Sequence, residues 1–217
     1  MVGADLSGIE LRMLAHYLAR YDGGRYAKLL LEDDIHQINA DKIGISRRQV
    51  KTVTYAFLYG AGDEKIGHSY DPQLPTIAAK KKGKEIRAAY VDAVDGLDAL
   101  LKAIKQAAER GFIKSIDGRK INVDSPHKAL NYCLQSGAGV IAKRWMVINQ
   151  ETMREAQICA SQLGFIHDEL QFECAPEHIG DLSTSLVYSA TAAGEYYNMR
   201  IRIDAEATNG NNWSETH

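Results

Sequence analysis

Four residues recur at intervals of four in the middle of the chain: Arg47, Lys51, Tyr55 and Tyr59. On an α-helix each such step turns by about 400°, so their side chains follow one slowly drifting face. That face carries two cations one turn apart, which can hold a polyphosphate, and then two phenols that can pack on a sugar or a base. A solvated cationic face is the ordinary alternative, but this face continues into phenols and not into further charge. The stretch therefore indicates a nucleotide-binding helix.

Two aspartates stand where predicted strands end. Asp5 follows a short apolar strand at residues 1–4, and Asp168 lies between the strand-like halves of LGFIHDELQFEC. If those strands are neighbours, the two carboxylates converge at one sheet edge and offer the hard oxygen ligands that Mg²⁺ prefers. Two such ions roughly 3.5–4 Å apart can clamp both oxygens of an in-line displacement. A turn residue at Asp5 and a polar hairpin tip at Asp168 are the structural alternatives, and spacing alone leaves both open.

Three other features have equally ordinary structural explanations. Glu10 follows Ser7 at the spacing of a helix capping box. His36, taken alone, reads as a surface histidine, and the lysines of residues 80–84 read as a solvated run. None of the three predicts chemistry by itself.

The elements that must position these residues follow from hydrophobic periodicity and from the placement of glycine and proline. The order is a strand, several helices, a hairpin, a long helix, a second hairpin, a helix and a strand, which predicts an α+β fold with an antiparallel sheet and segregated helices. Ser46 is the expected N-cap of the 47–59 helix. We expect residues 67–84 to be the most mobile part of the chain, residues 86–110 to form one helix, and residues 199–206 to form a half-buried strand.

Length and composition exclude several classes. The 217 residues suffice for one domain with a large insertion, and a formal charge of −2 neither indicates nor excludes nucleic-acid binding. No apolar run reaches the roughly 20 residues of a membrane span, and no signal peptide is visible, which predicts no membrane partner and a cytoplasmic location. The cysteines, Cys133, Cys159 and Cys174, are spaced unlike metal ligands or a disulfide framework and are expected to fill the core.

Taken together, these residues resemble the motifs of family A DNA polymerases, the bacterial polymerase I group, and most closely its phage replicative branch. Asp-x-Ser-x-x-Glu-Leu-Arg stands at residues 5–12, Arg-x-x-x-Lys-x-x-x-aromatic-x-x-x-Tyr-Gly at residues 47–60, and His-Asp-Glu between hydrophobic strands at residues 167–169. Motif order and spacing fit the family, and the ending in Asn212, Trp213 and His217 fits as well. The resemblance covers essentially the whole chain.

The resemblance implies a right-hand polymerase that copies a DNA template from dNTPs. Residues 1–28 and 116–217 would be its palm, and residues 29–115 its fingers. Asp5 and Asp168 would hold two Mg²⁺ ions, and Lys51 would also protonate the leaving pyrophosphate.

The resemblance further assigns the substrate contacts. The dNTP phosphates would be held by Arg47, Lys51 and His36. Tyr55 would pack on the incoming sugar, where a Tyr in place of the common Phe is similar to members that tolerate a missing 3′-hydroxyl, and Glu10 would exclude a 2′-hydroxyl. The template and primer contacts would be Tyr59, Gly60, Arg119, Asn131, Gln135 and His167. Glu169 would be a carboxylate behind the metal ligands.

The chain also departs from the family pattern. Gly8 stands where the bacterial branch commonly has Gln, and no thumb, additional palm strands or 3′–5′ exonuclease precede the first motif. One interpretation is the C-terminal catalytic part of a split phage polymerase, with a second chain that supplies thumb and exonuclease, and with a processivity factor as a further candidate partner. The other is a truncated remnant that binds dNTP or nucleic acid without useful synthesis. The intact motifs favour the first, and a two-metal nuclease leaves the 47–59 face unexplained.

Overall fold

The computed structural model describes all 217 residues, Met1–His217. The strands are β1 (Val2–Leu6), β2 (Phe112–Lys114), β3 (Lys120–Asn122), β4 (Ala160–Ile166), β5 (Glu169–Cys174) and β6 (Ala205–Asn209). The helices are α1 (Ile9–Asp22), α2 (Arg25–Glu32), α3 (Ile35–Ile43), α4 (Arg47–Leu58), α5 (Asp63–Tyr70), α6 (Thr76–Ala93), α7 (Leu97–Ala108), α8 (Ala129–Glu155), α9 (Ile179–Tyr196) and α10 (Trp213–Thr216). Helices and an antiparallel sheet confirm the predicted α+β class.

The chain divides into two units. The first contains Met1–Met13 and Gln135–His217, and the second contains Leu14–Leu134. The palm and fingers ranges that the resemblance implies, with boundaries after residues 28 and 115, stay a prediction. Within the second unit, Tyr17 of α1 packs with Ile113 of β2 and with Cys133 of α8 in one hydrophobic cluster.

The first unit is built on a four-stranded sheet with the order β4-β5-β1-β6. Its central strand β1 pairs antiparallel with β5, where Val2 lies opposite Phe172, and with β6, where Val2 lies opposite Asn209. Every residue of β1 except Asp5 is buried. Helix α9 packs on the sheet and is tied to α8 by the fully buried Trp145, whose indole N–H donates to the Leu186 carbonyl at 2.8 Å.

The second unit is mainly helical and carries the short hairpin of β2 and β3. Its helix α4 begins as predicted, because the Ser46 side chain accepts from the Gln49 N–H and Gln49 completes a capping box. The apolar side of α4 is buried, with Val50, Val53 and Phe57 among its buried residues. The opposite side of the same helix is thereby left for polar contacts.

Two segments of the second unit contain helices that their sequence pattern did not indicate. Residues 67–84, expected to be the most mobile part of the chain, belong to α5, a short turn and α6. Gly67 and Gly83 allow these two helices to pack backbone against backbone: a Cβ at Gly67 would lie 1.9 Å from the Ala79 carbonyl oxygen. The expected single helix over 86–110 is broken into α6 and α7 at Gly96, whose φ is 81°.

The last strand begins later than its alternating pattern predicts. Residues 199–204 contain a bend at residues 200–201 and belong to no strand, and β6 starts at Ala205. Their carbonyl groups bond elsewhere: Arg12 donates to Arg202, Thr191 Oγ1 donates to the Ile203 carbonyl at 3.0 Å, and the Ser7 N–H donates to the Asp204 carbonyl at 3.0 Å.

The structure has no candidate membrane span, and its cysteines differ in burial. No helix is both long enough and apolar enough to cross a bilayer. All the cysteines are free thiols, but only Cys133 is buried, and Cys159 is exposed. The expectation that the cysteines fill the core is therefore wrong for Cys159.

Candidate active site

Asp5 and Asp168 are brought to the same end of two paired strands. Asp5 is the fourth residue of β1 and lies directly opposite Glu169, the first residue of β5. The N–H of Leu6 donates to the Asp168 carbonyl at 3.1 Å, which anchors the turn before β5 against the end of β1. The predicted pairing of the two aspartate-bearing strands is confirmed.

The turn that carries Asp168 has a strained first residue. β4 and β5 are joined by His167 and Asp168 alone, since Ile166 already pairs with Glu169. His167 has φ of 57°, in the left-handed region that few non-glycine residues enter, although His is among the more tolerant types. Such strain costs about 1–3 kcal/mol and occurs most often at functional sites. The tight turn leaves His167 exposed and Asp168 half-buried.

The carboxylates of this region repel one another. Partial burial, followed by the charges of Asp168, Glu169 and Glu10, raises the pKa of Asp5 to about 6, against a smaller opposing effect of His217. Burial, and then the charge of Glu10, also raises the pKa of Asp168. A bound cation would relieve this repulsion.

The donor set fits Mg²⁺ and not a metal site made of protein ligands alone. No group of three or more His, Cys, Asp or Glu side chains has the arrangement of a metal site. Mg²⁺ typically takes one or two carboxylates and completes its shell with water and substrate phosphates. Two half-buried or exposed carboxylates with raised pKa values therefore match a magnesium site that is completed by a nucleotide.

Glu10 has no need to serve as the return arm of a capping box. Helix α1 begins at Ile9, with Glu10 in its first turn. The Ser7 N–H, which a capping box would satisfy with Glu10, donates to the Asp204 carbonyl at 3.0 Å. Glu10 instead contributes to the raised pKa values of Asp5 and Asp168, which indicates that its carboxylate lies near both.

In the second unit, α4 presents the predicted polar face. Arg47 and Lys51 are exposed on its first two turns, Tyr55 is half-buried, and Tyr59 is 54% exposed at the C-cap. The helix ends in a Schellman motif, because the Gly60 N–H donates to Phe57 and the Ala61 N–H donates to Ala56, both at 2.9 Å. Gly60 has φ of 75°. The predicted glycine end of the helix is confirmed.

His36 lies beside this face and is not the exposed histidine that its sequence context alone suggested. It is 9% exposed, its Nδ1 has no hydrogen-bond partner, and its ring centroid lies 6.1 Å from that of Tyr55. Burial, followed by the charges of Arg47 and Lys51, lowers its pKa against an opposing effect of Asp34. His36 is therefore neutral at pH 7, and it can donate a hydrogen bond to a phosphate from one ring nitrogen.

One of the other sequence-predicted residues forms a hydrogen bond with α4. Asn131 of α8 donates from Nδ2 to the Leu58 carbonyl at 3.3 Å, at the end of α4. Gln135, one turn later on α8, is exposed. Arg119 lies at the β2–β3 turn and is paired with Asp117 at 2.6 Å.

The sequence did not reveal the surroundings of Glu169. This residue is 4% exposed, and its carboxylate is contacted by Gln171 of β5 and by Trp213 and His217 of the C-terminal segment. Burial alone would raise its pKa, but these hydrogen bonds outweigh burial and lower it. The only signal in the sequence was the polar and aromatic ending of the chain, which gives no partner for Glu169.

Comparisons with known proteins agree with this architecture. The sequence matches the family described as DNA polymerase family A over residues 1–215. The DNA-directed DNA polymerase of Enterobacteria phage T3 is 37% identical over 238 aligned positions, and that of Escherichia phage T7 is 35% identical. These alignments cover 99% of this chain and 33% of each relative, so the chain spans a third of the length of the relatives.

A solved structure has the same fold. It is the POL domain of Pol1 from M. smegmatis in complex with DNA primer-template and dNTP. The TM-score is 0.81 with 23% sequence identity, and the match covers 100% of this chain and 40% of that chain. At this identity the likeness concerns the fold.

Proposed function

The chain belongs to DNA polymerase family A, and from that premise we propose that it is the palm-and-fingers portion of a template-directed DNA polymerase. The reaction transfers a nucleotide from a dNTP to the primer 3′-hydroxyl and releases pyrophosphate. The observation that carries the proposal is the pair of Asp5 and Asp168, which the β1–β5 pairing and the Leu6 contact bring to one sheet end. Two carboxylates that repel each other at one sheet end favour a bound cation, which would neutralise their charges.

Asp5 and Asp168 are the proposed ligands of two Mg²⁺ ions. When bound, the ions would activate the primer hydroxyl and neutralise the charge of the triphosphate. The two carboxylates contribute fixed negative oxygens on a paired strand and on a tight turn, so that little reorganisation is needed when the ions and the nucleotide arrive. Glu10, near both carboxylates, is proposed to exclude a 2′-hydroxyl and so to select deoxynucleotides.

The face of α4 is the proposed nucleotide-binding surface. Arg47 and Lys51 bind the phosphates with fixed positive charge, and neutral His36 donates a hydrogen bond. Lys51 is also the proposed proton donor to the leaving pyrophosphate. The bond from the α-phosphorus to pyrophosphate breaks as the bond from the primer 3′-oxygen to the α-phosphorus forms. Tyr55 packs on the incoming sugar. This assignment is supported by the exposure of the two cations and by the proximity of His36 to Tyr55.

The template and primer contacts are proposed for the residues around the end of α4 and for three side chains further along the chain. Tyr59 and Gly60 would meet the templating base, and Asn131, which bonds to the Leu58 carbonyl, supports that assignment. The proposed primer-side contacts are Arg119, Gln135 and His167. A second chain that supplies thumb and exonuclease, a processivity factor and a location in the host cytoplasm complete the proposal.

Primer extension tests the proposal directly. The chain is assayed with primer-template, dNTPs and Mg²⁺, first alone and then with a separate fragment that carries a family A thumb. We expect extension in the mixture, and its loss in Asp5→Ala and Asp168→Ala. Glu173→Ala, which removes an exposed carboxylate from the far end of β5, is the matched control. Near-normal extension by either aspartate variant contradicts the metal assignment, and extension in neither condition favours the remnant that binds without synthesis.

A further inference from the structure

The C-terminal segment covers the same face of the sheet that carries Asp5. Residues directly opposite each other in an antiparallel ladder point to the same side. Gly3 lies opposite Gln171 and Asp5 opposite Glu169, so all four share one face. A Cβ at Gly3 would lie 2.6 Å from the Thr216 carbonyl oxygen, which shows how closely the last helix approaches the sheet.

The hydrogen bonds of Glu169 account for both of its oxygens. Oε1 accepts from the indole N–H of Trp213 at 2.9 Å and from the amide of Gln171, and Oε2 lies 2.7 Å from His217 Nδ1. Thr216 Oγ1 in turn donates to Gln171 Oε1 at 2.9 Å. We name this hydrogen-bonded set of residues the C-terminal clasp. Its members are Gln171 of β5 and three residues of the C-terminal segment, Trp213, Thr216 and His217.

The clasp explains how a carboxylate can remain ionised and buried next to other carboxylates. Glu169 is 4% exposed and Gln171 is 2% exposed. A buried carboxylate without donors would be strongly destabilising, whereas one with several charge-assisted or polar donors is stable. His217, whose side chain is 72% exposed, is joined to the fold here by its contact with Glu169 and by edge-on ring packing with Trp213.

We propose that the C-terminal clasp positions Glu169 and occupies its oxygens, so that Glu169 does not join Asp5 and Asp168 as a ligand of a divalent cation. Trp213 and His217 are thus positioning residues that hold this one carboxylate away from the cation. Without them, Glu169 would present a third carboxylate on the same sheet face, directly opposite Asp5. The inference concerns the metal site named in the proposed function and rests on that part of it.

Mn²⁺ binding to the full chain tests this proposal without any need for polymerase activity. Free Mn²⁺ is followed by electron paramagnetic resonance in the absence of DNA and dNTP. In the double variant Trp213→Phe/His217→Ala we expect Mn²⁺ affinity to rise about fivefold, because one further negative charge faces the ion. Adding Glu169→Gln to that variant should bring the affinity to the value of Glu169→Gln alone. A purely structural role of the clasp gives no such agreement.

Two single variants keep the test decisive if the double variant folds poorly. His217→Ala removes a mostly exposed side chain and should shift the affinity in the same direction by a smaller factor. Glu169→Gln in the intact clasp should lower Mn²⁺ affinity, but by a smaller factor than Asp5→Asn, because it removes one nearby negative charge and no ligand. His178→Ala, which removes a histidine from the same unit, is the control for the loss of an imidazole.

Three results would overturn the proposal. These are unchanged Mn²⁺ affinity in His217→Ala and in the double variant, a change that Glu169→Gln does not reverse, and a loss of affinity in Glu169→Gln as large as that in Asp5→Asn. The last result would make Glu169 a ligand. Failure of primer extension leaves the Mn²⁺ measurement intact, so the two proposals fail separately.

Discussion

Arg47 and Asp34 form an ion pair in which the arginine Nε donates to Oδ2 at 2.6 Å. Asp34 is also the N-cap of α3, where its side chain accepts from the N–H groups of His36 and Gln37. The hydrogen bond from Arg47 holds the pKa of Asp34 below its ordinary value. Arg47 therefore has a carboxylate partner that a phosphate at the proposed nucleotide-binding face would have to replace or share.

Replacing Asp34 by Asn should tighten nucleotide binding. Asn is as good an N-cap as Asp, so α3 keeps its start while the competing charge is removed. Exposed ion pairs are worth about 0.2–1 kcal/mol, which corresponds to a dNTP Kd lower by up to about fivefold. Isothermal titration with dNTP and Mg²⁺ measures the change. Asp41→Asn, the same charge change on α3 without an Arg47 contact, is the control, and an equal shift in both variants would reject the specific competition.

The raised pKa of Asp5 predicts a pH-dependent stability in the absence of divalent cations. Its pKa is about 6 in the folded chain and about 3.9 when unfolded. The folded state binds the proton more tightly, so this contribution to stability is full below about pH 4 and is lost as the pH rises through about 6. Asp5→Asn does not titrate. The Tm of Asp5→Asn minus that of wild type should therefore rise between these pH values and stay constant above them.

Thermal unfolding in EDTA, followed by circular dichroism from acidic to slightly alkaline pH, measures this difference. Glu173→Gln on the same sheet controls for the general loss of a carboxylate. Adding Mg²⁺ at neutral pH should raise the Tm of wild type more than that of Asp5→Asn, because the variant lacks a ligand. A difference in Tm that does not vary with pH would contradict the electrostatic description of the site.

The sequence predicted the features that depend on local patterns. The two apolar runs around His167 and Asp168 indicated a hairpin, and α4 had a cap at Ser46 and a glycine end at Gly60. The sequence also indicated that Asp5 and Asp168 lie close together if their strands pair. Asp5 ends one strand, Asp168 precedes another, and the ends of paired strands meet.

Features that depend on distant partners were missed for physical reasons. Nothing in the local sequence of Glu169 indicates that Trp213 and His217 are its donors, since that contact depends on where the C-terminal segment folds. The helices over 67–84 were missed because two prolines and a lysine run outweighed the glycines that let α5 and α6 pack closely.

Lys51→Ala should lower turnover more than nucleotide affinity. Lys51 is proposed to act as a proton donor as well as a phosphate ligand, and loss of one charge-stabilising donor costs about 10²–10³-fold in kcat. Lys51→Arg keeps the charge but not a transferable proton. We therefore expect Lys51→Arg to restore KM but not kcat. Single-nucleotide incorporation by the chain, with the thumb-bearing fragment added, measures both constants. A pure KM effect in Lys51→Ala would reject the acid role.

Tyr55→Phe should raise discrimination against dideoxynucleotides. The hydroxyl is the only group that the substitution removes, and the ring that packs near His36 is kept. The measurement is the ratio of kcat/KM for a dNTP to that for the matching ddNTP. Tyr188→Phe, at an exposed tyrosine of α9, is the control. An unchanged ratio would contradict the sugar contact of Tyr55.

Gly60→Ala should destabilise the chain through backbone strain alone. Gly60 has φ of 75°, where a Cβ costs about 1–2 kcal/mol. The new methyl group would lie 3.7 Å from Asn131 Cβ, an ordinary contact, so no clash adds to the strain. Gly62→Ala is the matched control, because Gly62 has φ of −69° and no atom within 4 Å of a built Cβ.

Urea unfolding of both glycine variants separates strain from the mere loss of a glycine. We expect Gly60→Ala to lose about 1–2 kcal/mol of unfolding free energy at an unchanged m-value, and Gly62→Ala to stay within about 0.5 kcal/mol of wild type. Equal losses would show that the φ of Gly60 is not what the end of α4 requires. If only Gly60→Ala loses stability, the left-handed residue that ends α4 is a fixed part of the fold.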